Sequence, residues 1–223
     1  MKPAVRRTTL AVDVVVLSPR VDALAVLLVR APAGSRERWS LPWDAPQPGE
    51  GLEDAAARIA QAALGSAPAF FEQVGALSDG RRHPGEADVS VGIAALSPAN
   101  VGSPLEGAEW FALENIPALA PRHRTIVDRA AAVVRQRVDQ SPLAFRLLPP
   151  TFTLSDLQGV YELLLARRLH KASFRRALQA SYLVEPTDEW RSEGRGRPAQ
   201  LFRYAPKKRR GARRGVRFDL FTE

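Results

Sequence analysis

Residues 43–65 read WDAPQPGEGLEDAAARIAQAALG. Gly49 and Glu50 make a glycine–acid turn, and the run that follows keeps helical character until Leu64-Gly65, glycine being the residue type that closes helices. A helix is expected over 51–64. The turn has the form of an approach to an acid-rich catalytic helix, yet the interior of the run is almost entirely alanine.

Outward from this helix the N-terminal part alternates short strands with few helices. TLAVDVVVLS and DALAVLLVRA are β-branched or apolar runs separated by Pro19-Arg20-Val21, the pattern of paired strands. EQVGALS, DVSVGIAAL and AEWFAL are further strands, bounded by Gly- and Pro-rich segments, and a second helix is expected over 122–139. The order predicts an α+β layered fold and not a strict βαβ repeat.

The chain has 223 residues, 45% hydrophobic, enough for one large or two modest cores. It has no cysteine, so disulfides and thiolate metal sites are excluded. His83, His123 and His170 show no ligand spacing and are expected at the surface or at helix caps. The basic residues before the first apolar run have the form of a secretion signal, but Asp13 interrupts the run and no cleavage pattern follows, so it reads as a strand. No segment approaches the roughly 18 unbroken apolar residues of a membrane span, so a soluble, cytoplasmic protein without membrane contact is expected.

The net charge of +8 is unevenly placed. Residues 146–223 hold 17 Lys+Arg and 8 Asp+Glu, or +9, and residues 1–145 hold 15 and 16, or −1. Such asymmetry points to an acidic polymer as the partner of the C-terminal part.

The break between the parts falls in SPLAFRLLPP, 141–150, where two prolines stop any helix. Beyond it, Leu157, Val160, Tyr161, Leu164 and Leu165 make one apolar helical face, with Ser155 ahead of it as a cap and Asp156 in the first turn. After Leu169-His170-Lys171-Ala172 a second helix is expected, Ser173 its N-cap, Phe174, Ala177 and Leu178 inward, and Lys171, Arg175, Arg176 and Gln179 outward. Two helices with a short turn, the second basic, have the form of a helix-turn-helix. YLVEP and AQLFRYAP then flank a hairpin tip holding Arg195-Gly196-Arg197-Pro198, a wing whose two arginines suit a narrow A·T minor groove. The tail KKRRGARRGVRF adds sequence-independent phosphate contacts and is expected to be disordered without DNA. Ser155, Ser173 and Arg203 complete the set of expected DNA contacts.

The helix over 51–64 and the turn before it resemble the Nudix box: a glycine, five residues, a glutamate, seven residues, then Arg-Glu-apolar-any-Glu-Glu-any-Gly-apolar. Counting from Glu50 reaches Arg58 and Gly65, which match. The opening glycine is Asp44, the later glutamate positions hold Ile59, Ala62 and Ala63, and the last apolar position is Ser66. In the box those glutamates share one helix face and hold Mg²⁺ against a pyrophosphate. Ile59 and two alanines offer no oxygen ligand, so neither catalysis nor a metal site is expected here.

The whole chain resembles the Nudix-related transcriptional regulators, the NrtR family of NAD-metabolism repressors. The resemblance rests on RWSLPWDAPQPGE, FFEQVGALSD, AEWFALENIPALAPRH, RLLPPTFTLSDLQGVYELLL, SFRRAL and GRGRPAQLFRY. It implies an N-terminal Nudix-like α/β/α sandwich (1–145) that senses a nucleotide-type effector, typically ADP-ribose, and dimerises. A winged helix-turn-helix (146–206) would bind a double-stranded operator as a homodimer, and a basic tail (207–223) follows. Repression of NAD biosynthesis or salvage genes would be relieved when the effector prefers the non-binding arrangement. No cofactor is implied beyond that effector.

Where relatives have Leu-Pro-Gly-Gly this chain has Leu41-Pro42-Trp43-Asp44, which adds bulk and negative charge where a pyrophosphate would lie. Arg30, Arg58 and Arg81 are the candidate phosphate contacts, with Trp43, Asp44 and Glu50 around them. Two other readings stay open: a nucleoside-diphosphate hydrolase with a metal site relocated to Glu50, Glu53 and Asp54, and a constitutive nucleic-acid-binding protein whose Nudix domain only dimerises.

Overall fold

A computed structural model describes residues 8–100, 104–192 and 198–206. The chain divides into two compact units, 1–133 and 134–223. That division lies inside a helix, ahead of the break expected at 145.

In the first unit, strands β1 (Leu10–Pro19), β2 (Leu24–Arg30), β3 (Trp39–Ser40) and β4 (Trp43–Asp44) precede helix α1 (Leu52–Leu64). Strands β5 (Phe70–Leu77), β6 (Val89–Leu96) and β7 (Ala108–Ala112) lead to helix α2 (Pro121–Val138). The sheet runs β3-β2-β1-β6-β5, with β4 also on β1 and β7 also on β2. Among the described residues only β1 and β6 pair in parallel, Leu10 beside Val89 through Leu17 beside Leu96. A central strand covered on both faces needs apolar residues at consecutive positions, and Ala11 to Pro19 are all buried. Asp13 is the ionisable exception within that run.

The alanines of α1 serve packing. Ala55, Ala56, Ile59, Ala60 and Ala63 lie against Val12, Val14, Val16, Val91, Ile93 and Ala95 of β1 and β6. Side chains that small let the helix come close to the sheet. Gly65 closes the helix at φ 77°, its N–H donating to the Gln61 carbonyl. Strand alternation puts Gly92 on the opposite face from Val91 and Ile93. There α2 approaches so closely that a Cβ on Gly92 would lie 2.8 Å from Ile126 Cγ2. The two helices cover opposite faces, which makes the expected α/β/α sandwich.

The second unit continues from α2 through α3 (Leu143–Arg146), β8 (Thr151–Phe152), α4 (Leu154–Leu165), α5 (Lys171–Ser181), β9 (Val184–Arg191) and β10 (Ala199–Tyr204), with strand order β8-β10-β9. It is a winged helix-turn-helix. Its core gathers Phe145, Phe152, Tyr161 and Phe174, with Phe145 also 4.6 Å from the Tyr204 ring. The cap of α4 is Thr153 and not Ser155: the Thr153 hydroxyl accepts the Asp156 N–H, and the Asp156 carboxylate accepts the Thr153 N–H. Ser155 is the second helical residue and is exposed. Likewise α5 begins after His170, so Ser173 sits within the first turn and meets His170 Nδ1 at 3.3 Å. Strand β9 runs on through Thr187–Arg191, a segment expected in the hairpin tip.

Candidate functional site

A cleft of about 340 Å³ opens beside α1 and is lined by residues that include Arg30, Trp43, Asp44, Arg58, Ala62 and Glu106. Ile59, Ala62 and Ala63 line it, so the helix face that lacks carboxylates is the face turned to the cleft. Arg58 is not a free cation there. Its Nε and Nη2 donate to the two oxygens of Glu50 at 2.8 and 2.9 Å, Nη1 donates to Asp44 at 2.7 Å, and Nη2 also reaches the Ala45 carbonyl at 3.1 Å. The Arg58 hydrogen bond holds the Glu50 carboxyl down to about 2, and both carboxylates raise Arg58 further above its usual range.

Glu50 therefore anchors an arginine and does not stand ready for a metal ion, while Glu53 and Asp54 are exposed in the first turn of α1. Arg30 is exposed, with its guanidinium 4.4 Å from the Trp39 ring centre. Arg81 is not among the cleft residues and pairs with Asp79 at 2.5 Å.

The wall carrying Trp43 is fixed from beneath by residues that the sequence kept far apart. His83 and His123, expected at the surface or at caps, are buried on Asp13. Each presents Nε2 to the same oxygen, Asp13 Oδ1, at 2.9 Å. The Leu41 N–H donates to His123 Nδ1 at 3.1 Å, and the Gly85 N–H donates to His83 Nδ1 at 3.0 Å. An imidazole nitrogen that accepts is unprotonated, so both rings are the Nε2–H tautomer and both donate to Asp13.

The three ligand atoms lie within 4.8 Å of one another, the one such grouping among the described residues. Both imidazole nitrogens in it nevertheless carry protons and offer no free lone pair, so it works as a hydrogen-bond node. Burial raises the Asp13 carboxyl, but the two imidazole bonds outweigh it and keep the group ionised; burial also pushes His123 down, against the pull of Asp13. Trp43 stands edge-on to His83 at 4.7 Å, and a Cβ on Gly85 would fall 2.0 Å from the indole. No local periodicity could reveal contacts across 70 and 110 residues; the clue was a charged residue in an otherwise apolar strand.

In the second unit, α5 buries Phe174 and Leu178 and exposes Lys171, Arg175, Arg176 and Gln179. Lys171, Arg175 and Arg176 have no ion pair among the described residues. The turn ahead of α5 is gathered by Glu162, which accepts from Gln158, Arg168 and the Leu169 N–H. At the wing, Arg191 donates through Nη2 to both Asp156 oxygens, joining β9 to the start of α4. No feature of the sequence pointed to this tie. Arg203 pairs with Glu185 across the hairpin at 3.3 Å. Arg195, Arg197 and the basic tail lie outside the described residues.

Comparison with known proteins agrees with this division of labour. Residues 7–130 match the NUDIX domain profile, and residues 144–204 match the NrtR DNA-binding winged helix domain. The chain is 32% identical over 204 residues to the ADPR responsive transcriptional repressor NtrR of Acinetobacter baylyi, covering 87% of this chain and 81% of that one. Shewanella oneidensis NrtR, solved with a 27mer DNA, superposes with a TM-score of 0.73 at 28% identity, over 88% of this chain and 94% of that one. A MutT/nudix family protein from Enterococcus faecalis (TM-score 0.69, 21% identity, 90% and 89% covered) shares the fold. A Nudix sandwich followed by an NrtR-type winged helix, matched over most of the chain, places this protein in the NrtR family of Nudix-related transcriptional regulators.

Proposed function

We propose that this protein is a DNA-binding transcriptional repressor of NAD biosynthesis or salvage genes, acting as a homodimer, whose Nudix domain senses ADP-ribose or a related nucleotide without hydrolysing it. The observation that carries this is α5: one face is packed by Phe174 and Leu178 while Lys171, Arg175, Arg176 and Gln179 stand exposed on the other. A basic helix presented this way, with a hairpin behind it, is the form that enters a major groove. Its relatives support the reading, since the Acinetobacter protein is an ADPR responsive repressor and the Shewanella protein was solved on DNA.

Absence of turnover follows from donor chemistry. Ile59, Ala62 and Ala63 supply neither oxygen ligand nor base, and Glu50 is engaged by Arg58. A relocated metal site on Glu50, Glu53 and Asp54 would have to break that pair first.

The test is binding of the full-length protein to its own promoter region and to those of NAD-synthesis genes at physiological salt, with Arg175→Ala and Arg176→Ala alongside. Promoter-specific binding that each substitution weakens by about 1–3 kcal/mol is expected for base-contacting arginines. Unchanged affinity in both variants would remove α5 from the interface. Mg²⁺-dependent release of AMP from ADP-ribose at useful turnover would restore the hydrolase reading.

A further inference from the structure

The segment ahead of β7 is built as a turn that presents one carboxylate to the cleft. The Ala108 N–H donates to the Leu105 carbonyl at 3.0 Å, and Gly107 takes φ 83°, the left-handed backbone that the third position of a type II turn requires. Glu106 stands at the second position. Two further main-chain bonds fasten this turn on either side: the Leu105 N–H donates to the Ala63 carbonyl of α1 at 3.1 Å, and the Arg30 N–H of β2 donates to the Gly107 carbonyl at 2.9 Å. The backbone before and after Glu106 is therefore held, and Glu106 lines the cleft.

The charged groups of the cleft divide into those already engaged and those left over. Asp44 accepts the Ala45 N–H on Oδ1 at 2.8 Å and Arg58 Nη1 on Oδ2 at 2.7 Å. Glu50, behind Arg58, accepts from Arg58 and from the Gln47 N–H. Glu106 accepts no hydrogen bond among the described residues, and the Arg30 guanidinium donates none, resting 4.4 Å from the Trp39 ring centre. Although opposite in charge and carried on hydrogen-bonded backbone, the two do not pair. Both line the same space of about 340 Å³.

An ionised carboxylate only accepts and a guanidinium only donates. A ligand that spans them must bring hydroxyl donors to Glu106 and an anionic oxygen to Arg30. A ribose phosphate carries both, vicinal hydroxyls on the ring and a phosphate on the exocyclic carbon. Acidic side chains hold ribose hydroxyls in dinucleotide sites by the same chemistry. We infer that Glu106 is the ribose-reading residue of the cleft, its carboxylate accepting the cis-diol of a ribose whose 5-phosphate lies on Arg30. This rests on the sensor reading above and deepens it: the effector is told from a deoxy sugar by its hydroxyls.

The experiment is calorimetric titration of the full-length protein with ADP-ribose and with the two analogues that lack the 2-hydroxyl of one ribose or the other. At least one analogue is expected to bind more weakly than ADP-ribose by about tenfold, the scale of a hydrogen bond to a charged acceptor. Glu106→Ala, at an exposed turn position, should weaken ADP-ribose by a similar factor and bring that analogue level with it. Charge alone predicts the opposite sign, because removing a carboxylate from beside a diphosphate favours the anion. Glu109→Gln removes a nearby exposed charge outside the cleft lining and should keep the discrimination. Arg30→Gln should weaken all three ligands by a common factor and keep it too.

Analogues that both bind as tightly as ADP-ribose would overturn the inference. So would discrimination that survives Glu106→Ala or vanishes in Glu109→Gln, tighter ADP-ribose binding by Glu106→Ala, or unaltered affinity in Arg30→Gln. Each of these outcomes leaves ADP-ribose bound and the sensor reading standing. Absence of ADP-ribose binding by the unaltered protein would remove the sensor reading, and this inference with it.

Discussion

Replacing Asp13 by alanine removes the one acceptor shared by two buried imidazole N–H groups. A buried donor left unpaired costs about 1–3 kcal/mol, so the variant should lose about 2–5 kcal/mol of unfolding free energy in urea. Asp13→Asn keeps a carbonyl oxygen at the centre and should lose less. Equal midpoints for Asp13→Ala and the unaltered protein would show that the node carries no stability. Of this arrangement the sequence displays only Asp13, as an oddity in an apolar run; His83 and His123 give no sign of meeting there, because tertiary contact has no local period. Arg58 shows the converse. Its spacing from Glu50 is plain, but its bond to Asp44 depends on how β4 lies beside α1.

At the scale of elements, α4 begins with reciprocal bonds between Thr153 and Asp156, and Arg191 fastens the wing to the same carboxylate. Thr153→Ala should cost about 1 kcal/mol, within the usual range of roughly 0.5–2 for an N-cap replaced by alanine, read as a shift of the denaturation midpoint of the second unit. A midpoint unchanged by this substitution would mean that Asp156 holds the helix start without its partner. Counting back from Leu157 points to Ser155 as the cap, whereas the capping box Thr153-Leu-Ser-Asp156 points to Thr153, and the box prevails because it satisfies two main-chain donors at once. Helix α1 is legible to within one residue, since alanine spacing and a closing glycine are local signals. The full length of β9 is not: Thr187–Arg191 is polar and largely exposed, and its strand character comes from pairing with β10.

For the molecule as a whole, the partition of charge separates two kinds of binding. Residues 146–223 carry the excess of +9, so operator affinity should fall steeply with salt, with a log–log slope of about −0.9 per phosphate neutralised. Ligand binding in the near-neutral cleft should change far less over the same range. Similar slopes for both would contradict the assignment of the basic surface to DNA. The order of the two domains is readable from charge and punctuation together, while the continuity of α2 across 133 and 134 is a matter of contacts that no local signal carries.

The node beneath Trp43 has one more consequence. To protonate His123, a proton must arrive at Nδ1, where the main-chain N–H of Leu41 already points. Burial pushes this imidazole down as well, so mild acid leaves it on Asp13. A wall tethered this way through Leu41 is deaf to the acidity around it.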